Sequence, residues 1–161
     1  MTSIEEEVGT LLLGRGLSVA TAESTTGGYI GHLINNVPGS SKYYIGSVVA
    51  YSNSPKIRVL NVPEDTLKES GSVSAQTSLA MAEGVLELMG VDIGISESGV
   101  AGPGGGSGQH PVGTVFIAIA ARDGYKLIER NVWQGDRLSF KQQTAQAALE
   151  MVRHYLNRDQ G

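Results

Sequence analysis

The chain has 161 residues, enough for one domain of ordinary size, with 12 Lys and Arg against 16 Asp and Glu for a formal net charge of −4. The broad positive field that binds nucleic acids or anionic membranes is therefore missing. The sequence has no Cys, which excludes disulfides, thiolate metal sites and a Cys nucleophile. No apolar stretch approaches the ~20 residues of a membrane-spanning helix. The N-terminus is acidic, unlike a signal peptide. We therefore expect a cytoplasmic protein with no nucleic-acid partner and no membrane association.

In chain order, the hydrophobic periodicity predicts helices that alternate with strands. The segments are a helix from Ser3 to Gly14, a strand at 17–22, a helix after Gly28, a strand at 44–51, a helix from Pro63, a helix from Ser74 to Met89, a strand at 91–96, a hairpin of 114–121 with 127–133, and a helix from Asp136 to about Leu156. This order predicts one three-layer α/β/α domain across residues 1–161, with a mixed, mostly parallel sheet of about five strands. Only the last few residues are predicted to be disordered.

Three of the predicted strands are each followed by a polar segment. These segments are 23–28, 51–56 and 97–106. Ligands of a parallel α/β sheet bind beyond the carboxyl ends of its strands. If the three strands are parallel, the polar segments share one rim of the sheet, and this convergence predicts the functional site.

Ser24 and Lys56 are the candidate reactive residues of this rim. At a strand-to-helix junction, Ser24 would lie beside unpaired backbone N–H groups that stabilise an oxyanion, although such a residue is more often a helix cap. Gly27 and Gly28 favour close approach of a ligand. A partly desolvated Lys56 in a turn after Tyr51 would lose its proton near neutral pH and act as base for a serine, whereas an ordinary turn lysine stays solvated.

The other chemistry-bearing patterns are weaker. The glycine-rich loop 99–106 suits a phosphate cradle, but it matches neither the Walker nor the dinucleotide fingerprint, so a flexible surface loop is the alternative. The segment 94–98 is not a nucleophile elbow. The three His residues have no metal-ligand spacing, and no metal site is predicted. Arg137 has the planar fork to hold a phosphate or carboxylate, or it pairs with Asp136 at the surface.

Several motifs follow one another along the chain: Ala22-Glu23-Ser24-Thr25-Thr26-Gly27-Gly28, Val37-Pro38-Gly39-Ser40-Ser41, Val49-Ala50-Tyr51-Ser52-Asn53-Ser54-Pro55-Lys56, Ser98-Gly99-Val100-Ala101-Gly102-Pro103-Gly104-Gly105-Gly106, Pro111-Val112-Gly113 and Gly135-Asp136-Arg137. In this order they resemble the CinA C-terminal domain family, also called the nicotinamide-nucleotide amidohydrolase family. The resemblance runs from about Val8 to Leu156. It implies a three-layer α/β/α fold, in agreement with the element order above.

The resemblance also implies an activity: hydrolysis of the carboxamide of nicotinamide mononucleotide to nicotinic acid mononucleotide and ammonia, with no metal or other cofactor. It makes Ser24 the nucleophile, Lys56 the general base and Tyr51 an aid to proton transfer, and it places Ser98 where the family usually has a catalytic Thr. Arg137 and Lys141 match basic positions of the family that would hold phosphate. The implied substrate-binding residues are Thr25, Thr26, Gly27, Gly28, Asn53, Gly99, Gly102, Gly104, Gly105, Arg137 and Lys141.

Two positions depart from the family pattern: Thr25 replaces a Cys, and Ser98 replaces the Thr. Ser98 keeps its hydroxyl but lacks the methyl group that limits rotamers, a change that can reduce the rate or alter substrate fit. We expect a stand-alone version of the domain that forms a symmetric dimer or a higher homo-oligomer. The main alternative is a nucleotide-binding module of the same fold with a regulatory role and no turnover. A serine esterase is a weaker one, because the elbow and a positioned His are missing.

Overall fold

The computed structural model describes residues 1–158, in which six α-helices surround one five-stranded sheet. In chain order the elements are α1 (Ile4–Arg15), β1 (Val19–Glu23), α2 (Tyr29–Asn35), β2 (Tyr44–Val49), α3 (Asn53–Arg58), α4 (Glu64–Ser70), α5 (Ala75–Met89), β3 (Ile93–Gly99), β4 (Thr114–Ala121), β5 (Lys126–Val132) and α6 (Arg137–Asn157). A short 3₁₀ turn, Ser40–Lys42, precedes β2. The disorder predicted for the chain end falls on residues 159–161, outside the described residues.

The sheet has the strand order β2-β1-β3-β4-β5. Strand β1 lies parallel to both β2 and β3, whereas β3 pairs with β4, and β4 with β5, in antiparallel register. The predicted three-layer α/β/α fold with a mixed sheet of five strands is confirmed. Because β2, β1 and β3 run in the same direction, their carboxyl ends meet at one rim. The three polar segments therefore converge there, as the sequence predicts.

Helices cover both faces of the central strands, which explains why β3 and β4 are buried. Ile93 and Ile95 of β3 belong to the core shared with α1, α2 and α6. On the other face, Ala20 and Ala22 of β1 pack with α5. Since side chains alternate along a strand, the odd-numbered residues of β3 face α6 and the even-numbered ones face α5. This alternation decides which polar residues of β3 can reach the rim site.

Capping residues fix three helix starts. The Ser3 hydroxyl accepts from the Glu6 amide at 3.3 Å and the Glu6 carboxylate accepts from the Ser3 amide at 3.0 Å, so the two residues form a capping box at the predicted helix start. Ser74 accepts from the Thr77 amide at 3.0 Å and so caps α5. Asp136 caps α6, because its carboxylate accepts from the Ser139 amide at 2.8 Å. No helix within residues 1–158 combines the length and the hydrophobicity needed to cross a membrane.

One local prediction is wrong: Lys56 does not lie in a turn. The segment after Tyr51 is the beginning of α3, which places Lys56 inside a helix. Pro55 is compatible with this geometry because it falls in the first helical turn, where its fixed φ suits a helix and its missing N–H costs no hydrogen bond. The helix directs the Lys56 side chain inward, where it is buried.

Candidate active site

Lys56 and Ser24 lie in direct contact at the rim. The Lys56 ammonium nitrogen Nζ is 3.1 Å from Ser24 Oγ and donates to the Ala50 carbonyl at 2.8 Å. The Lys56 side chain is only 2% exposed. Burial lowers the pKa of Lys56, and the nearby Glu97 carboxyl partly opposes that shift. A buried lysine with a lowered pKa beside a serine hydroxyl has the arrangement of a nucleophile and its general base.

The buried carboxyl group of Glu97 holds the turn that carries Ser24. Oε1 of Glu97 accepts hydrogen bonds from the backbone amides of Ser24 at 2.6 Å and Thr26 at 2.9 Å, and it lies 2.8 Å from Thr26 Oγ1. Glu97 is fully buried. Desolvation, with a smaller contribution from the Glu23 charge, raises the pKa of Glu97 to about 7, against the lowering effect of hydrogen bonds from Thr26 and Ser24. The turn that carries Ser24 is therefore tied to β3 through one carboxyl oxygen.

The carboxylate of Glu23, the last residue of β1, accepts hydrogen bonds from the backbone amides at the start of α2. The Glu23 carboxylate accepts from the amides of Gly28 at 3.2 Å, Ile30 at 2.9 Å and Gly31 at 2.9 Å. The expectation that free N–H groups of this helix start hold an oxyanion beside Ser24 is therefore wrong. A buried carboxylate already takes the favourable position at the positive end of the helix.

Ser24 and Lys56 open into a cavity of about 330 Å³, within the range typical of small-ligand sites. Its lining residues come from all three polar segments, from the loop before α5 and from the start of α6. They are Ser24, Thr25, Tyr51, Asn53, Lys56, Ser72, Val73, Gly99, Val100, Ala101, Gly102, Gly104, Gly105 and Arg137. The structure thus brings together most of the residues that the sequence singled out.

Arg137 and Tyr51 form the outer edge of this cavity. The Arg137 guanidinium donates to the Gly102 carbonyl at 2.7 Å, and its other terminal nitrogen lies 3.5 Å from the Tyr51 hydroxyl. Tyr51 is 65% exposed, so its hydroxyl is open to solvent and to a ligand. Asp136 is used as the cap of α6, and the Arg137 guanidinium instead lies at the mouth of the cavity, where a planar fork suits an anionic group.

Ser98 lies on the wrong face of β3 for the predicted catalytic position. Its hydroxyl is 2.6 Å from the hydroxyl of Ser78 on α5, and the Ser78 hydroxyl also donates to the Phe116 carbonyl at 3.1 Å. Ser98 is 1% exposed and is not among the described residues that line the cavity. As an even-numbered residue of β3, it faces α5, while Glu97 faces the Ser24 turn.

Thr26, Gly27, Gly28 and Lys141 also lie outside the lining. Thr26 is buried between the two glutamates, and Gly28 donates to Glu23. Gly27 has a φ of +63°, and a β-carbon added there would lie 3.9 Å from Lys141 Nζ. Thr26, Gly27 and Gly28 shape the turn that follows Ser24. Lys141 places a positive charge beside this turn, in addition to that of Arg137 at the cavity mouth.

The sequence reasoning missed Glu97 as a residue of the site and treated it only as part of the polar segment after β3. The one available signal was an acidic residue directly after the predicted strand 91–96, where a charge is costly unless it is paired or neutralised. Ser72, Val73, Val100 and Ala101 were also missed, and nothing in their residue types distinguishes them. A larger groove of about 610 Å³ lies elsewhere, along α5 and the chain after α3, and includes Leu60, Gly84 and Leu88. No Ser–Lys pair opens into it.

Comparison with known proteins defines the class of protein first. The family model of the CinA C-terminal domain matches residues 1–156, so this chain belongs to the CinA C-terminal domain family. A CinA-like protein of Chloroherpeton thalassium is 48% identical over 157 residues, covering 96% of this chain and 37% of the relative. A putative competence-damage inducible protein of Desulforamulus reducens is 45% identical, covering 95% and 37%. The chain thus spans less than two fifths of the length of these curated relatives.

The solved structures that this chain resembles are similar to it in length, unlike the longer curated relatives. The crystal structure of the competence/damage inducible protein CihA from Agrobacterium tumefaciens has a TM-score of 0.91 and 38% identity, covering 98% of this chain and 97% of that one. A CinA superfamily protein from Klebsiella pneumoniae has a TM-score of 0.92 and 33% identity, covering 96% of each chain. The α/β/α fold described above is therefore the fold of solved members of this superfamily.

Proposed function

We propose that this chain hydrolyses the carboxamide of nicotinamide mononucleotide to nicotinic acid mononucleotide and ammonia, with Ser24 as nucleophile and Lys56 as general base. The observation that carries the proposal is the buried contact of 3.1 Å between Lys56 Nζ and Ser24 Oγ at a ligand-sized cavity. The mononucleotide as substrate comes from the resemblance to the amidohydrolase family. The local residues themselves support hydrolysis of an anionic small molecule.

The proposed reaction proceeds in two acyl-transfer steps. Neutral Lys56 takes the proton of the Ser24 hydroxyl as Oγ attacks the carboxamide carbon. The resulting ammonium then gives that proton to the amide nitrogen, the C–N bond breaks, and ammonia leaves. Water, deprotonated by Lys56, next attacks the ester carbon, and the C–O bond to Ser24 breaks as the Lys56 ammonium gives that proton to Oγ. The acid product leaves, and both residues return to their starting states.

Arg137 and Lys141 are the proposed phosphate-binding groups. Arg137 stands at the mouth of the cavity, and the chain carries a net charge of −4, so local positive charge is needed to bind an anionic substrate. Tyr51 contacts Arg137 at the same edge. We propose that Tyr51 assists proton transfer between the leaving group and solvent there. Ser98 is assigned no contact with substrate, because it hydrogen-bonds on the opposite face of β3.

Ammonia release from nicotinamide mononucleotide tests the proposal. The assay compares the unaltered chain, Ser24→Ala and the control Ser41→Ala, which changes an exposed serine of the 3₁₀ turn. We expect turnover in the unaltered chain and in the control, and a loss of at least about 10³-fold in Ser24→Ala. A chelator present throughout shows whether the reaction depends on a dissociable metal ion.

Two results would contradict the proposal. Turnover that persists in Ser24→Ala would remove the serine nucleophile. Tight binding of the mononucleotide without ammonia release from the unaltered chain would favour the alternative, a nucleotide-binding module with a regulatory role. Calorimetry with the same mononucleotide separates this second result from simple loss of binding.

A further inference from the structure

We infer that Glu97 is a positioning residue that holds the Ser24 turn as a neutral carboxylic acid, hydrogen-bonded through the Thr26 hydroxyl to Glu23, and that its ionisation ties Lys56 into an ion pair. The catalytic part of this inference rests on the proposed function above. The protonation of Glu97 does not, because it concerns the protein without substrate.

The hydrogen count at Thr26 provides the first argument. Thr26 Oγ1 lies 2.7 Å from Glu23 Oε1 and 2.8 Å from Glu97 Oε1. A hydroxyl group has one hydrogen to donate, so it satisfies one carboxylate and not two. If both glutamates were ionised, one contact would bring two oxygen lone pairs together. A proton on one of these two Oε1 atoms removes the conflict: the protonated carboxyl group donates to Thr26 Oγ1, and the Thr26 hydroxyl donates to the other carboxylate.

The partners of the two carboxyl groups identify which glutamate carries the proton. Both oxygens of Glu23 are satisfied, because Oε1 accepts from Gly28 and Ile30 and Oε2 accepts from Gly31 and from the Thr21 hydroxyl. Glu97 Oε2 is buried and has no hydrogen-bond partner among the described residues. A bare oxygen costs far less in a neutral acid than in a carboxylate. Glu23 is therefore the ionised partner and Glu97 the protonated one.

The surroundings of Glu97 explain why its charge matters to Lys56. The ionisable groups that act on it are Glu23 from β1 and Lys56 from α3. On β4 its register partner is Ile117, and the α6 residue packed at the end of β3 is Phe140, both uncharged. Helix α6 also carries Lys141, whose ammonium lies beside the turn at Gly27. Tyr51, Arg137 and Lys141 lie at the edge of the site. Burial raises the pKa of Glu97, and a charged Glu97 would raise the pKa of Lys56.

A neutral Glu97 therefore does two things for the proposed reaction. Through Oε1 it holds the amides of Ser24 and Thr26, and so the nucleophile, in place. Without a negative charge it leaves Lys56 free to give up its proton. Above neutral pH, Glu97 loses its proton to solvent, and Lys56 then holds its own proton more firmly.

The first test uses the protein without substrate. Carbon-13 NMR of a chain labelled at the glutamate δ-carboxyl carbon is recorded at pH values from about 5 to about 9, alongside Glu97→Gln. We expect one resonance at the neutral-acid position below about pH 6.5 that is absent from the variant and that titrates near neutrality. A Glu97 resonance at the carboxylate position across this range would overturn the inference. Thr26→Val, which cannot relay the hydrogen bond, should displace the titration, whereas Thr26→Ser should preserve it.

The second test is the pH profile of kcat/KM for Glu97→Gln relative to the unaltered chain. We expect the ratio of the two to be constant below about pH 6.5 and to rise by at least about threefold between about pH 6.5 and 8, because only Glu97 then gains a charge. A ratio that is constant at every pH would mean a purely structural role. A ratio that already rises from the lowest pH would mean a permanent ion pair with Lys56. Both results would overturn the inference.

The two tests also separate this inference from the proposed function. If the unaltered chain releases no ammonia, the proposed function and the catalytic role of Glu97 both fail, while the NMR titration still decides its protonation. If the chain is active and the titration is absent, the Ser24–Lys56 reaction stands and the role of Glu97 falls.

Discussion

At the scale of single residues, the proposed reaction depends on the burial of Lys56. Lys56 is hydrogen-bonded to Ser24 and to the Ala50 carbonyl, and burial lowers its pKa. The sequence was enough to single out Ser24 and Lys56 as the candidate reactive residues. Their contact could not be predicted from it, because it depends on the helical turn of α3, which the sequence analysis took for an open turn.

Replacing Lys56 with Arg tests its role as a base. A guanidinium group stays protonated at any pH the protein tolerates, so it cannot accept the Ser24 proton. We expect Lys56→Arg to lower kcat by at least about 10³-fold, a loss of the size typical of a removed general base. The control Lys42→Arg changes an exposed lysine and should leave kcat within about twofold. Activity of Lys56→Arg close to that of the unaltered chain would refute the lysine base.

Replacing Arg137 with Gln tests phosphate binding at the cavity mouth. We expect KM for nicotinamide mononucleotide to rise by about 10-fold to 100-fold, the loss of one charge-assisted contact, with a smaller effect on kcat. Nicotinamide riboside, which lacks the phosphate, should be affected much less by the same substitution. Arg153→Gln is the matched control, because Arg153 is on the same helix but pairs with Glu7. Equal losses for the two substrates would exclude a phosphate contact.

At the scale of elements, the helix caps and the order of helices and strands along the chain could be predicted from the sequence, whereas the register of the strands could not. Ser3, Ser74 and Asp136 cap helices where the sequence predicts them, because capping uses neighbouring residues only. Which face of β3 each residue presents depends on pairing with distant strands. Ser98, which the family resemblance placed in the site, is found against α5, while Glu97 was overlooked and is found hydrogen-bonded to the Ser24 amide.

Two glycine substitutions test how α5 holds α3 in place. A β-carbon added at Gly84 of α5 would lie 2.0 Å from the Leu60 carbonyl oxygen, in the chain that follows α3. We expect Gly84→Ala to lower the free energy of unfolding by about 1 to 3 kcal/mol or more and to reduce kcat by displacing Lys56. Gly14→Ala is the matched control, because nothing lies within 4 Å of the added carbon in α1.

In the control, the alanine should raise the free energy of unfolding by about 0.5 to 1 kcal/mol through its better helix propensity. Urea unfolding of both variants measures the two effects. If Gly84→Ala is as stable and active as the unaltered chain, the close approach of α5 is not what positions α3.

At the scale of the whole molecule, the fold class was the most predictable property. Alternating helices and strands, one hairpin and three polar segments after strands were enough to predict the α/β/α layers and the rim where the site lies. The symmetric dimer or higher homo-oligomer stays a prediction. Because the curated relatives are more than twice as long as this chain, activities of those longer proteins are not transferred to it.

The buried Glu97 makes the stability of the whole fold depend on pH. Its pKa is raised from 4.5 to about 7 in the folded state, so between these values the folded chain binds more protons than the unfolded one. The free energy of unfolding must then fall as pH rises through this window. Relative to Glu97→Gln, we expect the unaltered chain to lose about 3 kcal/mol between about pH 4.5 and 7.5. Urea unfolding at several pH values measures this difference, and a difference independent of pH would contradict a neutral Glu97.

The most direct test of the central claim is to trap the covalent intermediate on Ser24. The chain is mixed with nicotinamide mononucleotide, quenched in acid within one turnover, digested and analysed by mass spectrometry. The account predicts an ester of nicotinic acid mononucleotide on Ser24 that disappears in Ser24→Ala together with ammonia release. Ammonia release that continues in Ser24→Ala would contradict the claim that this chain is a serine–lysine amidohydrolase.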